Sequence, residues 1–125
     1  DECSHRAEGE NKVRSIELID QKSVGPIWAY LEQQRRITGE DYRLMVLPDH
    51  PTPLTLRTHT GDPVPFACFS SDGRDRGPSE AYDEASCGRS GYRLENGPEL
   101  FERLIRKGFQ CACGARNAAA LTLAA

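Results

Sequence analysis

Two short apolar runs constrain the fold of this chain more than any other feature. The first covers residues 42–47 and the second covers residues 63–69, and both are nearly continuous in apolar side chains. Strands of that composition are typical of a parallel sheet in which both faces are covered. The prolines at 63 and 65 indicate that the second run is either an edge strand or begins at that point.

A long helical pattern precedes the first run. Residues 10–36 carry apolar side chains at steps of three and four residues, with charged and amide side chains between them. That period predicts an amphipathic helix. Gly25 and Pro26 interrupt it, and we expect a kink there because proline removes a helix hydrogen bond. The pattern stops at Gly39, a common helix terminator.

A polar loop and two shorter elements follow the second run. Residues 70–80 predict the loop, and residues 83–87 predict a short turn or helix. A last helix begins at residues 97–99, with Pro98 in its first turn. It is expected to place four apolar side chains on one face: Leu100, Phe101, Leu104 and Ile105. The whole pattern predicts an α/β fold, a partial parallel sheet flanked by helices, in which ligands gather at the carboxyl ends of strands.

Size and charge exclude several classes of protein. The chain has 125 residues, which suits one domain of ordinary size. Its net charge of −3 argues against a nucleic-acid binder, which would show a basic face. No apolar run approaches the ~20 residues that a membrane helix needs. The first residues do not resemble a signal peptide. We therefore expect neither a nucleic acid nor a membrane as partner.

Cysteine usage favours a reducing compartment. The chain has five cysteines, an odd number at irregular spacings: Cys3, Cys68, Cys87, Cys111 and Cys113. This pattern predicts unpaired thiols in a cytoplasmic protein. Cys111 and Cys113 could also ligate a metal, but no second pair completes a zinc site.

The three histidines each lie near an acidic residue or in a turn that can approach one. They are His5, four residues after Asp1; His50, next to Asp49; and His59. Aspartate and histidine together are ligands for divalent ions such as Mn²⁺, Zn²⁺ or Mg²⁺. We therefore interpret the chain as a metal-dependent enzyme or a large part of one.

Each of these groups also has an ordinary structural interpretation. On a helical turn Asp1 and His5 share one face, but an aspartate there is usually a cap or a dipole partner. Asp49 and His50 follow the first apolar run, where both can point into one cleft or simply form a polar turn. His59 stands between two threonines, and a lone histidine of this kind is more often a surface residue.

The run from 47 to 65 carries the most specific motifs of the chain. It contains Asp-His-Pro-Thr-Pro from Asp49 and His-Thr-x-x-Pro-Val-Pro from His59, and the chain starts with Asp-Glu-x-x-His. These segments closely resemble the carboxyl-terminal signature of archaeal-type cofactor-independent phosphoglycerate mutases, in the alkaline phosphatase superfamily. The resemblance covers residues 1–109 and leaves an Ala-rich tail, residues 110–125, outside the family.

The resemblance implies an alkaline-phosphatase-like core that holds two divalent metal ions. Asp1, His5 and His59 resemble the ligands of one ion, and Asp49 and His50 resemble part of the set for the other. In the family a Ser or Thr nucleophile and another Asp, both far upstream, complete the second set. The implied activity is the glycolytic interconversion of 3-phosphoglycerate and 2-phosphoglycerate through a phosphoenzyme.

Neither of those upstream residues is among the 125 of this chain. The only methionine is Met45, so we expect that Asp1 is not a natural translation start and that the chain is a carboxyl-terminal segment. Because the nucleophile is missing, we expect this segment to be inactive alone. Alternatives are a phosphatase, phosphopentomutase or phosphonate hydrolase of the same superfamily, and a non-catalytic fragment.

Four polar residues in and between the last two motifs have two interpretations each. Thr52, Thr58 and Thr60 could hydrogen-bond metal ligands or cap turns. Arg57 could hold a phosphate with its forked guanidinium or form a surface salt bridge.

Overall fold

The computed structural model describes residues 1–73, 81–109 and 119–123, with the backbone alone at 107 and 119–123. These residues fall into two compact units. The first unit comprises residues 1–40 and 50–60, and the second comprises the described residues within 41–49 and 61–125.

The first unit is mainly helical. Helix α1 spans Glu2–His5, α2 spans Gly9–Ile19 and α3 spans Gly25–Thr38, with a π-helical turn at Asp20–Val24 between α2 and α3. The predicted long helix is confirmed. Its end is confirmed as well, because Gly39 has a left-handed φ of 75°.

The predicted interruption takes the form of the π turn. Pro26 has no amide hydrogen to donate, so the regular ladder cannot continue through it. Gly25 donates its amide hydrogen to the carbonyl of Asp20, five residues back. A Cβ at Gly25 would lie only 3.2 Å from that carbonyl oxygen, so glycine suits this wider turn.

The rest of the first unit is a loop that folds back on itself. The amides of Leu56 and Arg57 donate to the carbonyl of Pro53, and the amide of Thr60 donates to the carbonyl of Pro51. The Nζ of Lys12, on α2, donates to the carbonyl of Thr52 at 2.9 Å. Helix α2 therefore fixes one end of the loop.

The second unit contains a four-stranded sheet. Its strands are β1 (Arg43–Val46), β2 (Val64–Ser70), β3 (Arg93–Leu94) and β4 (Ala119–Leu123), in the order β1-β2-β4-β3. Both strands predicted from the apolar runs are confirmed, and so is the mixed α/β class.

The predicted parallel pairing of these two strands is wrong. β1 and β2 are antiparallel, as are β2 and β4, whereas β3 and β4 are parallel. Parallel neighbours need a crossover of a dozen or more residues, usually a helix. Residues 47–63, all of which the structure describes, contain no helix. The chain therefore returns to the sheet in the opposite direction.

Of the two interpretations of the prolines, the strand start is confirmed, because Pro63 immediately precedes Val64, the first residue of β2. The edge-strand alternative is excluded, since β2 is internal. One further expectation about the sheet needs correction. Residues 119–123, predicted to lie outside the fold with the rest of the tail, form β4. The unpaired backbone groups along β2 can pair with an extended segment of almost any side-chain composition. The Ala-rich composition of the tail therefore does not reveal that part of it forms a strand. The family boundary at residue 109 stays a prediction.

The core of the second unit lies on one face of β2. Val64, Phe66 and Cys68 are buried, and the ring of Phe66 meets that of Phe109 at 5.7 Å between centroids. The cluster also includes Leu94 and Leu100. Alternate residues along β2 are half-buried, so this strand is not covered on both faces as predicted.

The two predicted helices of the second unit are present. Helix α4 spans Glu84–Ser90, and α5 spans Gly97–Glu102, followed by a π-helical turn at Arg103–Lys107. On the last helix the predicted apolar face is only half right. Leu100 is buried in the core and Leu104 packs against it, whereas Phe101 and Ile105 are 61% and 55% exposed.

The described cysteines fit the predicted chemistry. Cys3, Cys68 and Cys87 are thiols rather than disulfides, and the latter two are buried. Cys111 and Cys113 lie outside the described residues. In the part of the chain that is described, no helix is both long and apolar enough to cross a membrane.

Candidate metal centre

Helix α1 places Asp1 and His5 on one face, as their spacing predicts. The Nε2 atom of His5 lies 3.1 Å from Oδ2 of Asp1. Asp1 occupies the N-cap position, but its carboxylate caps none of the described amides of α1. The capping interpretation therefore does not account for this side chain, which points at the histidine instead.

The second ring nitrogen of His5 defines how that ring is protonated. Nδ1 lies 2.7 Å from the backbone carbonyl oxygen of Arg57. A carbonyl can only accept, so Nδ1 carries the hydrogen. In the neutral ring, Nε2 then presents its lone pair to Asp1. This is the arrangement that metal-binding histidines usually adopt.

Arg57 acts here through its backbone. It has a left-handed φ of 55°, which is uncommon for a residue other than glycine. Its side chain is exposed. Neither the phosphate fork nor the surface salt bridge considered from the sequence predicts this use of its carbonyl.

His59 completes a group of three ligand atoms. Its Nε2 lies 3.3 Å from Nε2 of His5 and 3.4 Å from Oδ1 of Asp1. The three ligand atoms all lie within 4.8 Å of one another. The loop brings His59 here, because the adjacent Thr60 is tied to Pro51.

The spacing and chemistry of the group suit a divalent ion. A lone pair of His5 facing a carboxylate oxygen at 3.1 Å is repulsive unless a proton or a cation lies between them. Ligands held at about 2.0–2.1 Å from a tetrahedral ion are themselves about 3.3 Å apart. The two histidine nitrogens are 3.3 Å apart, and each lies 3.1 to 3.4 Å from a different oxygen of the Asp1 carboxylate. The side chains are between 36% and 50% exposed, so an ion can reach them from solvent.

His50 lies beside this group and is not one of its three members. Its ring stacks on that of His59 with centroids 3.5 Å apart, and its Nδ1 lies 3.2 Å from Oγ1 of Thr52. Asp49 belongs to the second unit, in the bend that follows β1. The assignment of Asp49 and His50 to a second ion therefore stays a prediction.

Thr52 connects the group to its surroundings. It is buried, and its hydroxyl donates to Oδ1 of Asp1 at 2.9 Å. The sequence allowed Thr52 either to hydrogen-bond a metal ligand or to cap a turn, and the structure shows a hydrogen bond to Asp1, a predicted ligand.

The contacts made by Lys12 and by the Arg57 carbonyl were not predicted from the sequence. A lysine on a helix and a backbone carbonyl carry no motif that would reveal them.

Several described side chains of the second unit have pKa values shifted from their ordinary values. Burial raises the pKa of Tyr82 to about 12 and raises the pKa of the Cys87 thiol. The amide of Ser86 lowers the pKa of Asp83 by donating to its carboxylate at the start of α4. Cys87 is thus a protonated, weakly nucleophilic thiol at neutral pH.

The comparison with known families decides what kind of protein carries this group. A family described as the metalloenzyme superfamily matches residues 1–92. The chain belongs to the metalloenzyme superfamily. The match includes all five residues predicted from the sequence as metal ligands: Asp1, His5, Asp49, His50 and His59.

Curated relatives in this superfamily carry the name that the sequence motifs suggested. A 2,3-bisphosphoglycerate-independent phosphoglycerate mutase of Methanothrix thermoacetophila is 44% identical over 105 residues, 84% of this chain and 26% of the relative. A probable enzyme of that name from Geobacter sulfurreducens is 40% identical over 84% of this chain and 25% of its own length. One from Methanosarcina mazei is 37% identical over 85% of this chain and 26% of its own length.

The chain thus spans about a quarter of the length of the curated relatives it matches. No solved structure matches it. The predicted resemblance to these mutases is confirmed at the level of sequence, and membership of the superfamily implies dependence on a divalent metal.

Proposed function

We propose that this chain carries metal ligands of a cofactor-independent phosphoglycerate mutase, an isomerase that interconverts 3-phosphoglycerate and 2-phosphoglycerate in glycolysis. The observation that carries the proposal is the convergence of Asp1, His5 and His59, with ligand atoms within 4.8 Å, in a chain whose relatives bear that enzyme's name. Phosphoglycerate is then the substrate of the intact enzyme.

The proposed ligands form two sets. Asp1, His5 and His59 hold one divalent ion, and His50 with Asp49 forms part of the set for a second. Mn²⁺, Zn²⁺ and Mg²⁺ all accept such ligands. Bound ions of this kind would promote ionisation of a hydroxyl nucleophile and balance the charge of the transferred phosphoryl group.

The chain's own residues hold these ligands in place. The Arg57 carbonyl keeps the hydrogen of His5 on Nδ1, and the Thr52 hydroxyl fixes one carboxylate oxygen of Asp1. Positioned ligands of this kind lower the cost of assembling the reactive geometry.

We further propose that the serine or threonine nucleophile, which would form the phosphoenzyme, belongs to the part of the relatives that this chain does not match. The chain alone is then inactive. The thiol state of Cys3, Cys68 and Cys87 is consistent with the cytoplasm as the place of action.

Other members of the alkaline phosphatase superfamily share such ligands, among them phosphatases, phosphopentomutases and phosphonate hydrolases. The names of the relatives favour the mutase. A non-catalytic fragment would retain the histidines without binding an ion.

A chimaeric enzyme tests the proposal. Residues 1–109 replace the matched segment of the Methanothrix thermoacetophila mutase, and both directions of the isomerisation are assayed. The chimaera should be active. His5→Ala and His50→Ala should each lower its activity at least about a hundredfold, because each removes a metal ligand.

The matched control is Ile37→Ala, at an exposed position near the end of α3. It should leave the activity unchanged. Full activity of the His5→Ala chimaera would contradict the ligand assignment. Release of inorganic phosphate instead of isomerisation would favour a phosphatase.

A further inference from the structure

The hydroxyl of Thr52 touches two of the proposed ligands at once. Oγ1 lies 2.9 Å from Oδ1 of Asp1 and 3.2 Å from Nδ1 of His50. We infer that Thr52 is a positioning residue that links the two ligand sets, donating its proton to Asp1 and accepting one from His50. This inference rests on the proposed function, in which Asp1 and His50 serve different ions.

The direction of each hydrogen bond follows from counting hydrogens. A hydroxyl has one hydrogen to donate, and an ionised carboxylate can only accept. The hydrogen of Thr52 therefore points to Asp1. The contact between Oγ1 and His50 is then a hydrogen bond only if Nδ1 of His50 donates. In the neutral ring, this places the lone pair on Nε2, the atom that would ligate a metal ion.

His5 is fixed in the same way by a different acceptor. Its Nδ1 donates to the Arg57 carbonyl, which selects the same tautomer. A carbonyl can only accept, however, so it can orient a histidine that donates but not a carboxylate ligand. A hydroxyl both donates and accepts, so Thr52 can orient a ligand from each set.

The surroundings of Thr52 hold its hydroxyl in one place. Only 7% of the residue is exposed. Its carbonyl accepts a hydrogen bond from Nζ of Lys12 at 2.9 Å, which fixes the backbone. A β-branched side chain is also stiff about χ1. The hydroxyl is therefore already ordered before an ion binds, which lowers the conformational entropy lost on binding.

Thr52→Val and Thr52→Ser separate the hydroxyl from the shape of the side chain. Valine keeps the shape and loses the hydroxyl, whereas serine keeps the hydroxyl. The matched control is Thr55→Val, an exposed threonine in the same loop. Each variant of the 125-residue chain is measured by calorimetric titration with Zn²⁺ and by ¹H–¹⁵N correlation spectra of its histidine rings, recorded without metal at mildly alkaline pH.

The wild type, Thr52→Ser and Thr55→Val should show His50 with its hydrogen on Nδ1. Thr52→Val should show the mixed tautomers of an unconstrained ring, and its affinity for Zn²⁺ should fall about 10- to 100-fold. Circular dichroism checks that each variant is folded. If Thr52→Val is not, Thr52→Ala takes its place with the same expected result.

Three results would overturn the inference. One is an unchanged His50 tautomer in Thr52→Val. Another is unchanged affinity in that variant. The third is equal loss in Thr52→Val and Thr52→Ser, which would assign the effect to packing of the methyl group. Failure of the proposed function gives a different pattern, since the wild type would then not bind Zn²⁺ although the spectra of His50 still report on Thr52.

Discussion

His5 shows most clearly how one side chain acquires a defined chemical role. Its Nδ1 is committed to the Arg57 carbonyl and its Nε2 faces Asp1 and His59. The pairing of Asp1 with His5 could be predicted, because a four-residue spacing on a helical turn fixes the geometry. The Arg57 carbonyl could not, because its direction depends on a left-handed φ of 55° at an arginine.

His50 could likewise be singled out from the sequence, whereas the contacts of Thr52 could not. Two adjacent polar residues after a strand suggest a site, but nothing in the sequence states which atoms of a threonine will be used. The buried hydrogen bonds of Thr52 depend on a helix forty residues away in the chain, since Lys12 holds its backbone. Long-range contacts of this kind are visible only in the fold.

Asp83 gives a prediction about pH. The Ser86 amide holds the pKa of its carboxyl below the ordinary value in the folded state. A carboxyl of this kind stabilises the fold above its unfolded pKa, and this contribution is lost as the pH falls through the folded pKa. The wild type should therefore lose stability on acidification more steeply than Asp83→Asn, which keeps an oxygen for capping and has no charge.

Urea unfolding midpoints of the two proteins, measured from neutral pH down to the acid range, check this. The two curves should converge at the acid end. Curves that stay parallel over the whole range would contradict the prediction.

Among the properties of the helices and strands, the points where helices end or are interrupted were the most predictable. Gly39 ends α3 and the Gly25–Pro26 pair marks the interruption, because both residues restrict the backbone directly. The π-helical form of the interruption could not be predicted, since the lost proline hydrogen bond can be accommodated by a kink or by a wider turn.

Strand direction was the least predictable property of the elements. The positions of β1 and β2 follow from local apolar runs. Their antiparallel pairing depends on the path of residues 47–63, and β2 also pairs with residues 119–123 far along the chain. An apolar run does not encode its partner.

The start of α5 provides a stability prediction. The side chain of Asn96 accepts a hydrogen bond from the amide of Glu99 at 2.9 Å. Asn96→Ala removes this cap and should lower the free energy of unfolding by about 1 kcal/mol. Asn96→Ser is the control, because serine caps a helix comparably well and should change stability little.

Chemical denaturation followed by far-ultraviolet circular dichroism measures both variants. The account of this cap would be wrong if alanine and serine destabilised the protein equally.

The described chain falls into two compact units. The three residues proposed to hold one ion lie in the first unit, and the described core around Phe66 lies in the second. The superfamily match at 1–92 includes residues of both. The family was thus easier to predict than the sheet pairing, because its motifs are local in sequence whereas strand pairing is not.

Anomalous diffraction from crystals of the chain grown with Zn²⁺ shows whether the three proposed ligands converge on one ion. A peak at the zinc absorption edge is expected about 2.0–2.2 Å from three atoms, namely a carboxylate oxygen of Asp1 and Nε2 of His5 and of His59. Zinc bound elsewhere, with no peak between these three side chains, would contradict this expectation.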